Sequence, residues 1–362
     1  MKSQTLQDWI CGHCGAHLED ACGVPAVGRV AHGLAVRWTE RQRFWHGPEH
    51  LQSLVAAFDG NATGEKKSLL VLAALFHDAV YDPTRNDNEE LSAELLLNAA
   101  ANPDSSLIRK ACELIRATKW SGKPMDALTQ EFFEFDAGQL GQHVSMVDRM
   151  AYERAIFKEY QFHAWPAYRA GRLEFLKTWA GWYPQHARGA AECSDLLQVM
   201  QPKLAIYPGS FNPFHIGHLS VVRQAEQIFD KVIVALGVNR QKFQATGSIE
   251  DIIQGRQDRL KQQMKFHQVD LFSGLLPDYL SSMEDSVTVI RGGRDGTDLE
   301  ADLRYARFLK DLGAQAPVIW VACEAATQHI SSSAVRELES LRAGAGAAYV
   351  PDAATIYGIH QS

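Results

Sequence analysis

Residues 207–218 read YPGSFNPFHIGH and directly follow the short apolar run Leu204–Ile206. An apolar run, a Gly/Pro-rich turn and then an amphipathic stretch reads as a strand, a tight turn and a helix starting near His218. The first backbone N–H groups of a helix have no partner inside it, so such a turn, loosened by Gly209 and Gly217, is a natural seat for phosphate oxygens. A plain strand-to-helix turn needs a glycine but has no use for two imidazoles. His215 and His218, three residues apart across Gly217, can both offer donors to a bound polyphosphate, and neither is placed as a nucleophile. Arg291 and Arg294 follow the β-rich run Val287–Ile290, at the carboxyl edge where open α/β sheets bind their ligands.

A second constellation lies in FWHGPEHL (44–51) and LFHDAVYDPTRNDNEELSA (75–93). His77 and Asp78 are neighbours at the end of an apolar helix, where a charged group is costly unless it is paired or bound to a metal. Together with His50 and a later carboxylate, Asp136 or Asp148, they make a nitrogen and oxygen set that suits a divalent transition metal.

The elements that must carry these groups differ between the two halves. From residue 1 to about 200, segments such as Ser68–Phe76, Asn88–Ala101, Ser106–Ala117 and Met146–Tyr160 repeat apolar residues at three- and four-residue spacing, which predicts an all-α domain. After Pro202 the β-rich runs Leu204–Ile206, Lys231–Leu236, Val287–Ile290 and Val318–Ala322 alternate with the helical stretches Leu219–Ile228 and Leu299–Leu312, which predicts a parallel sheet with crossover helices. The chain reads as multidomain, with residues 1–200 and 203–362 as its two domains. Ala343–Ala348 reads as a loop.

Composition bounds the partners. At 362 residues, 46% hydrophobic and 22% charged, the chain has the make-up of a soluble globular protein, and no apolar run approaches the roughly 20 residues of a membrane span. The start, MKSQTLQDWICGHCG, lacks the pattern of a secretion signal, so a cytoplasmic location is expected. A net charge of −7 argues against broad nucleic-acid binding, which needs a basic surface. Cys11, Cys14 and Cys22, with His13 and His17, could form part of a zinc site, but Leu6, Trp9, Ile10 and Cys14 recur at helical spacing and no second Cys-x-x-Cys pair exists.

The stretch from Leu204 to about Pro351 resembles the nucleotidyltransferase superfamily with a His-x-Gly-His signature, and most closely phosphopantetheine adenylyltransferase, of coenzyme A biosynthesis. Four motifs in order carry the resemblance: the first βαβ unit from Ala205, FSGLLPDYL (272–280), IRGGRDGTDLEADL (290–303) and ISSSAVREL (330–338). It implies a Rossmann-like fold and transfer of AMP from ATP to a phosphate monoester, with release of pyrophosphate and no covalent enzyme intermediate. His218 would hold the α-phosphate with His215 beside it, Ser210 would contact the acceptor phosphate and the α-phosphate, and Lys242 would bridge the substrates. Arg291 would grip the acceptor phosphate, Arg294 the outer phosphates, and Ser331, Ser332 and Ser333 the β- and γ-phosphates at a helix start. Phe211, Gly217 and Leu275 complete the expected substrate-binding set, and Mg2+ would accompany ATP. The family commonly has Thr at the position of His215 and an amide side chain at that of Leu309; Ser273 replaces a common Asp, and an insertion falls near 244–255. An acceptor other than 4′-phosphopantetheine, such as a mononucleotide or a sugar or alcohol phosphate, is the alternative. The family also implies a homo-oligomer.

The first half, from about Leu6 to Met200, resembles the HD superfamily of metal-dependent phosphohydrolases. That resemblance implies His50, His77, Asp78 and Asp136 as ligands of a divalent transition metal (Mn, Fe, Co, Ni or Zn), which would activate the attacking water, and His46 as the acid to the leaving oxygen. Lys119 and Arg43 would hold a phosphate and Glu89 would orient ligands or water. Trp45 replaces the group's usual Tyr, and Trp120-Ser121 follows Ala-Thr-Lys where a His is common. A regulatory ligand-binding module without turnover is the alternative for this half.

Overall fold

The computed structural model describes residues 2–120, 122, 126–239 and 248–359. They divide into two compact units: residues up to Glu159 with Ala170–Val199, Gly358 and Ile359 form one, and Tyr160–Arg169 with Met200–Tyr357 form the other.

In the first unit the described residues form helices α1 (Ser3–Cys22), α2 (Val27–Trp38), α3 (Pro48–Asn61), α4 (Gly64–Phe76), α5 (Asn88–Ala99), α6 (Ser106–Ala117), α7 (Ala127–Asp136), α8 (Met146–Glu159), the greater part of α9 (Trp165–Trp182), and α10 (Ala187–Val199). Starts follow local chemistry: Ser105 accepts from the N–H of Ile108 and Asp126 from that of Thr129, each satisfying a helix N–H that has no partner within the helix. Every residue of α4 from Leu69 to Phe76 is buried, the signature of a central helix with no solvent face. Trp38, fully buried, donates its indole N–H to the carbonyl of Leu75 at 2.9 Å, which pins the end of α4 two residues before His77. Cys14 lies buried on α1, where burial pushes its thiol up to about 12.

The second unit contains β1 (Leu204–Gly209), α11 (Ile216–Glu226), β2 (Lys231–Val238), α12 (Ile249–Gln263), β3 (Val269–Ser273), α13 (Leu276–Ser281), β4 (Val287–Gly293), α14 (Gly296–Asp311), β5 (Val318–Ala322), α15 (Ser332–Leu341) and α16 (Ala353–Tyr357). The five strands are parallel in the order β3-β2-β1-β4-β5. Ile206 of β1 pairs with Ile233 on one side and Val289 on the other. The order reverses beside β1, so the crevice beyond the ends of β1 and β4 is where an open sheet of this kind binds a ligand.

Two details differ from expectation. Strand β3, VDLFS, is not among the expected β-rich runs; it is an edge strand in which Val269 alone is buried and the other four residues are partly or fully exposed. The segment Tyr160–Arg169 groups with the sheet: Gln161 accepts from the N–H of Val232 at 3.1 Å, and Lys231 donates to the carbonyl of His163 and to Gln268. Among the described residues no helix is long and apolar enough to cross a membrane.

Gly189 of α10 lies against the turn Gly138–Leu140, and a Cβ there would overlap the carbonyl of Leu140 and meet Nη1 of Arg149 at 3.1 Å. Since backbone cannot yield as a flexible side chain can, Gly189→Ala is expected to destabilise the first unit by about 1–3 kcal/mol. Urea unfolding followed by far-UV circular dichroism checks this.

Candidate functional site

Strand β1 ends in the turn that carries the paired histidines, and a pocket of about 420 Å³ opens there. Phe211 folds back over Gly209 with a positive φ of 39°, and a Cβ on residue 209 would lie 2.7 Å from its ring. Residue 209 is therefore glycine because the aromatic ring occupies the space a side chain would need.

His215 is the N-cap of α11. Its Nδ1 accepts the N–H of Gly217 at 3.2 Å, while Nδ1 of His218 accepts the N–H of His215 at 3.2 Å, a reciprocal capping box built from imidazoles. The N–H of Gly217 is thus committed to His215 and is not the free phosphate donor that the sequence suggested. The rings stack with centroids 3.6 Å apart. A neutral imidazole that accepts at Nδ1 carries its proton on Nε2, so each ring keeps one N–H donor. Burial, followed by the nearby charge of Arg294, lowers His215 to about 4. Burial and then His215 hold His218 well below the ordinary range.

Arg291, at the end of β4, gives Nε and Nη2 to Oδ1 of Asp302 at 2.9 and 2.8 Å. Arg294 is forked by Asp298 at 2.9 and 3.1 Å. The carboxylates lie four residues apart on α14 and hold both guanidinium heads at the pocket wall. Sequence reasoning passed over them, although the Arg-x-x-x-Asp-x-x-x-Asp spacing was the available signal.

Ser210, Phe211, His215, Gly217, His218, Arg291, Arg294, Ser331 and Ser332 all line this one pocket. Ser331 caps α15, accepting from Ala334, and Ser332 donates to the carbonyl of Pro213. Ser333 and Leu275 lie outside the wall: Ser333 accepts from Arg336, and Leu275 is exposed at the start of α13. Lys242 falls outside the described residues. Leu309 is buried against Leu276 and Val289 and takes no part in the wall. Cys323 and Tyr207 line the pocket too, without a motif to announce them.

In the first unit, His50 from α3, His77 and Asp78 at the end of α4, and Asp136 at the end of α7 converge. Nε2 of His50 lies 3.1 Å from Oδ1 of Asp136, and Nε2 of His77 lies 3.4 Å from that atom and 3.2 Å from Oδ2 of Asp78. These close approaches are not well-formed hydrogen bonds: both Nε2 atoms are buried without a partner of acceptable geometry. Nδ1 of His77 sits 3.0 Å from the carbonyl of Ala74, an acceptor only, so the proton of a neutral ring is on Nδ1 and the Nε2 lone pair faces the carboxylates. Burial opposes charge there, yet Asp78 and Asp136 outweigh it and push His77 well above its usual range. Two carboxylates and two imidazoles focused on one point fit a divalent cation, and ligand atoms of His50, His77 and Asp78 lie within 4.8 Å of one another.

Asp148 is exposed and accepts from Ser145, so Asp136 is the carboxylate that joins the cluster. Arg43 departs from the phosphate-holding role expected of it. Its guanidinium pairs with Glu40 and donates to the carbonyls of His46, Asp78 and Ala79, bracing the backbone around the cluster. Lys119 is exposed, and Glu89 is half-buried with its carboxyl raised by burial and then by Asp78, outweighing Lys119, which lowers it.

Residues 206–338 match the cytidylyltransferase-like family. The phosphopantetheine adenylyltransferase of Geobacter sulfurreducens is 35% identical over 144 residues, 39% of this chain and 85% of that protein. That of Mycoplasma capricolum is 33% identical over 140 residues, 38% of this chain and 96% of that protein. The parallel sheet and its pocket thus define a cytidylyltransferase-like domain. Through it the chain belongs to the phosphopantetheine adenylyltransferase family. The family match begins after the helical unit and does not extend to it.

The lowered His215 sets a pH dependence. A histidine whose folded pKa lies below its unfolded value of about 6.5 contributes stability above 6.5 that is lost as pH falls toward 4. Between pH 7 and pH 5 the loss from this residue is about 2 kcal/mol. Asparagine also caps helices, so His215→Asn is expected to shrink the acid-induced fall in unfolding free energy by that amount, read from urea titrations of the ligand-free protein at the two pH values.

Proposed function

We propose that the second unit transfers AMP from ATP to the phosphate of 4′-phosphopantetheine or a closely similar ester. The observation that carries this reading is the pair of imidazoles whose Nδ1 atoms are filled by backbone amides, leaving an Nε2–H on each ring at the wall of a pocket that also holds two arginines. An oxygen of the acceptor phosphate attacks the α-phosphorus, the bond from that phosphorus to the bridging β-oxygen breaks, and pyrophosphate leaves with the electron pair. His218, seconded by His215, donates to the α-phosphate oxygens as charge builds on them. Arg291 grips the acceptor phosphate, Arg294 the outer phosphates, and Lys242 bridges the substrates. Asp298 and Asp302 restrain the two guanidinium heads, so that less ordering is needed when substrate arrives. Mg2+ bound with ATP would screen the triphosphate charge.

Pyrophosphate release measured with ATP and a panel of phosphate monoesters tests this reading. Turnover should be fastest with 4′-phosphopantetheine, and another ester turned over in its place would reassign the acceptor. His218→Ala should lower the rate about 100- to 1000-fold, the scale for losing one such donor.

For the first unit we infer hydrolysis of a phosphate ester at a divalent transition metal held by His50, His77, Asp78 and Asp136. The support is the two orphaned Nε2 atoms facing carboxylates in a buried cluster. A metal there would supply Lewis-acid activation of water and of a phosphate oxygen. His46, beside His50 with ring centroids 5.6 Å apart, gives a proton to the leaving oxygen. His77→Ala is expected to remove stoichiometric metal, measured by elemental analysis, and to abolish hydrolysis of p-nitrophenyl phosphate, while adenylyl transfer continues. Hydrolysis unchanged in that variant would leave this unit as a binding module.

A further inference from the structure

Glu159 is the last residue of α8 and only 1% exposed. Both circumstances are unfavourable to a carboxylate, because burial strips its water and a helix C-terminus already presents partial negative charge. Five donors offset this. Oε1 accepts the backbone N–H groups of Phe44, Trp45 and His46 at 2.8, 2.7 and 2.9 Å, a nest of three successive amides. Oε2 accepts the hydroxyl of Tyr81 at 2.6 Å and lies 2.6 Å from Nδ1 of His46. Burial would raise the carboxyl, but His46 first, and then the other donors, outweigh it and hold Glu159 below the usual range.

The backbone nest and Tyr81 fix the carboxylate independently of the imidazole. An ionised carboxylate only accepts, so the ring must donate from Nδ1, and Nε2 is the nitrogen left to meet a ligand. The His46 side chain is 24% exposed, whereas that of Glu159 is fully buried. Tyr81 lies beside the same imidazole, ring centroids 4.7 Å apart, and restricts its rotation.

We propose that Glu159 is a positioning residue for the hydrolytic site: it locks the orientation of His46, keeps the Nδ1 proton in place and thereby reserves Nε2 for the leaving oxygen. When Nε2 surrenders its proton to that oxygen, the neutral ring retains Nδ1–H on Glu159, and the charge is balanced without any group beyond those named. The inference rests on the hydrolase reading for its chemistry, but the hydrogen bond at its centre can be measured without turnover.

The test combines histidine NMR with kinetics on the full-length, metal-loaded protein. In the wild type, 15N-labelled histidine should show His46, assigned by its loss in His46→Ala, with a hydrogen-bonded proton on Nδ1. Glu159→Gln should shift or broaden that signal and lower kcat for p-nitrophenyl phosphate by about 10- to 100-fold, the range for losing such a supporting partner. Its KM should stay within about twofold, and metal content and adenylyl transfer should be unchanged. A folded Glu159→Gln variant that keeps the Nδ1–H signal, or keeps wild-type kcat where the wild type hydrolyses the ester, overturns the proposal. If Glu159→Gln does not fold, the wild-type spectrum decides alone: a His46 ring protonated only at Nε2 overturns it. Should the wild type show no hydrolysis, the hydrolase reading fails separately, and the NMR result still establishes or removes the Glu159–His46 bond.

Discussion

Two backbone amides donated into two imidazoles govern the transferase pocket. Because Gly217 N–H fills Nδ1 of His215 and His215 N–H fills Nδ1 of His218, helix α11 begins and the rings acquire their tautomer in one step. Neutral Nε2–H donors would suit the proposed transfer, in which polyphosphate must bind and pyrophosphate must then leave, since fixed cations would hold both strongly. The cationic share falls to Arg291 and Arg294, each moderated by its own aspartate on α14.

The helical unit solves the opposite problem. Its cluster gathers two carboxylates around two imidazoles in a buried setting, and buried carboxylates of this kind are tolerable only around positive charge. Supporting groups of both signs stand behind the cluster. Arg43 joins the backbone of residues 46, 78 and 79 through its guanidinium, and Glu159 gathers the amides of residues 44–46. Neither needs to touch the cluster's imidazoles or carboxylates to influence how the segments carrying them are held.

Much of the geometry was legible from local patterns. The strand, turn and helix around residues 204–226, the apolar α4 ending at His77, and the arginines after β4 all announce themselves by periodicity or by residues at odds with their surroundings. What escaped were relations over long sequence separation or with weak local signal. Glu159 meets His46 from 113 residues away and sits in a helix whose pattern gives it no distinction. Arg43 looked like a phosphate holder because a lone arginine in sequence does not reveal which carbonyls surround it. Ser333 looked equal to Ser331 and Ser332, but a helix start turns successive side chains in different directions, and only the first two reach the pocket.

The stretch Tyr160–Arg169 bears on how the two units could be separated. Its glutamine and main chain complete hydrogen bonds that the first residues of β2 would otherwise leave open, so the polypeptide joins the sheet unit, departs from it and comes back before β1 begins. A transferase fragment cut at residue 203 would expose Lys231 and the start of β2 to water. An independent catalytic fragment has to borrow a strip from the helical half, and gene dissection at the apparent linker would damage the part it means to liberate.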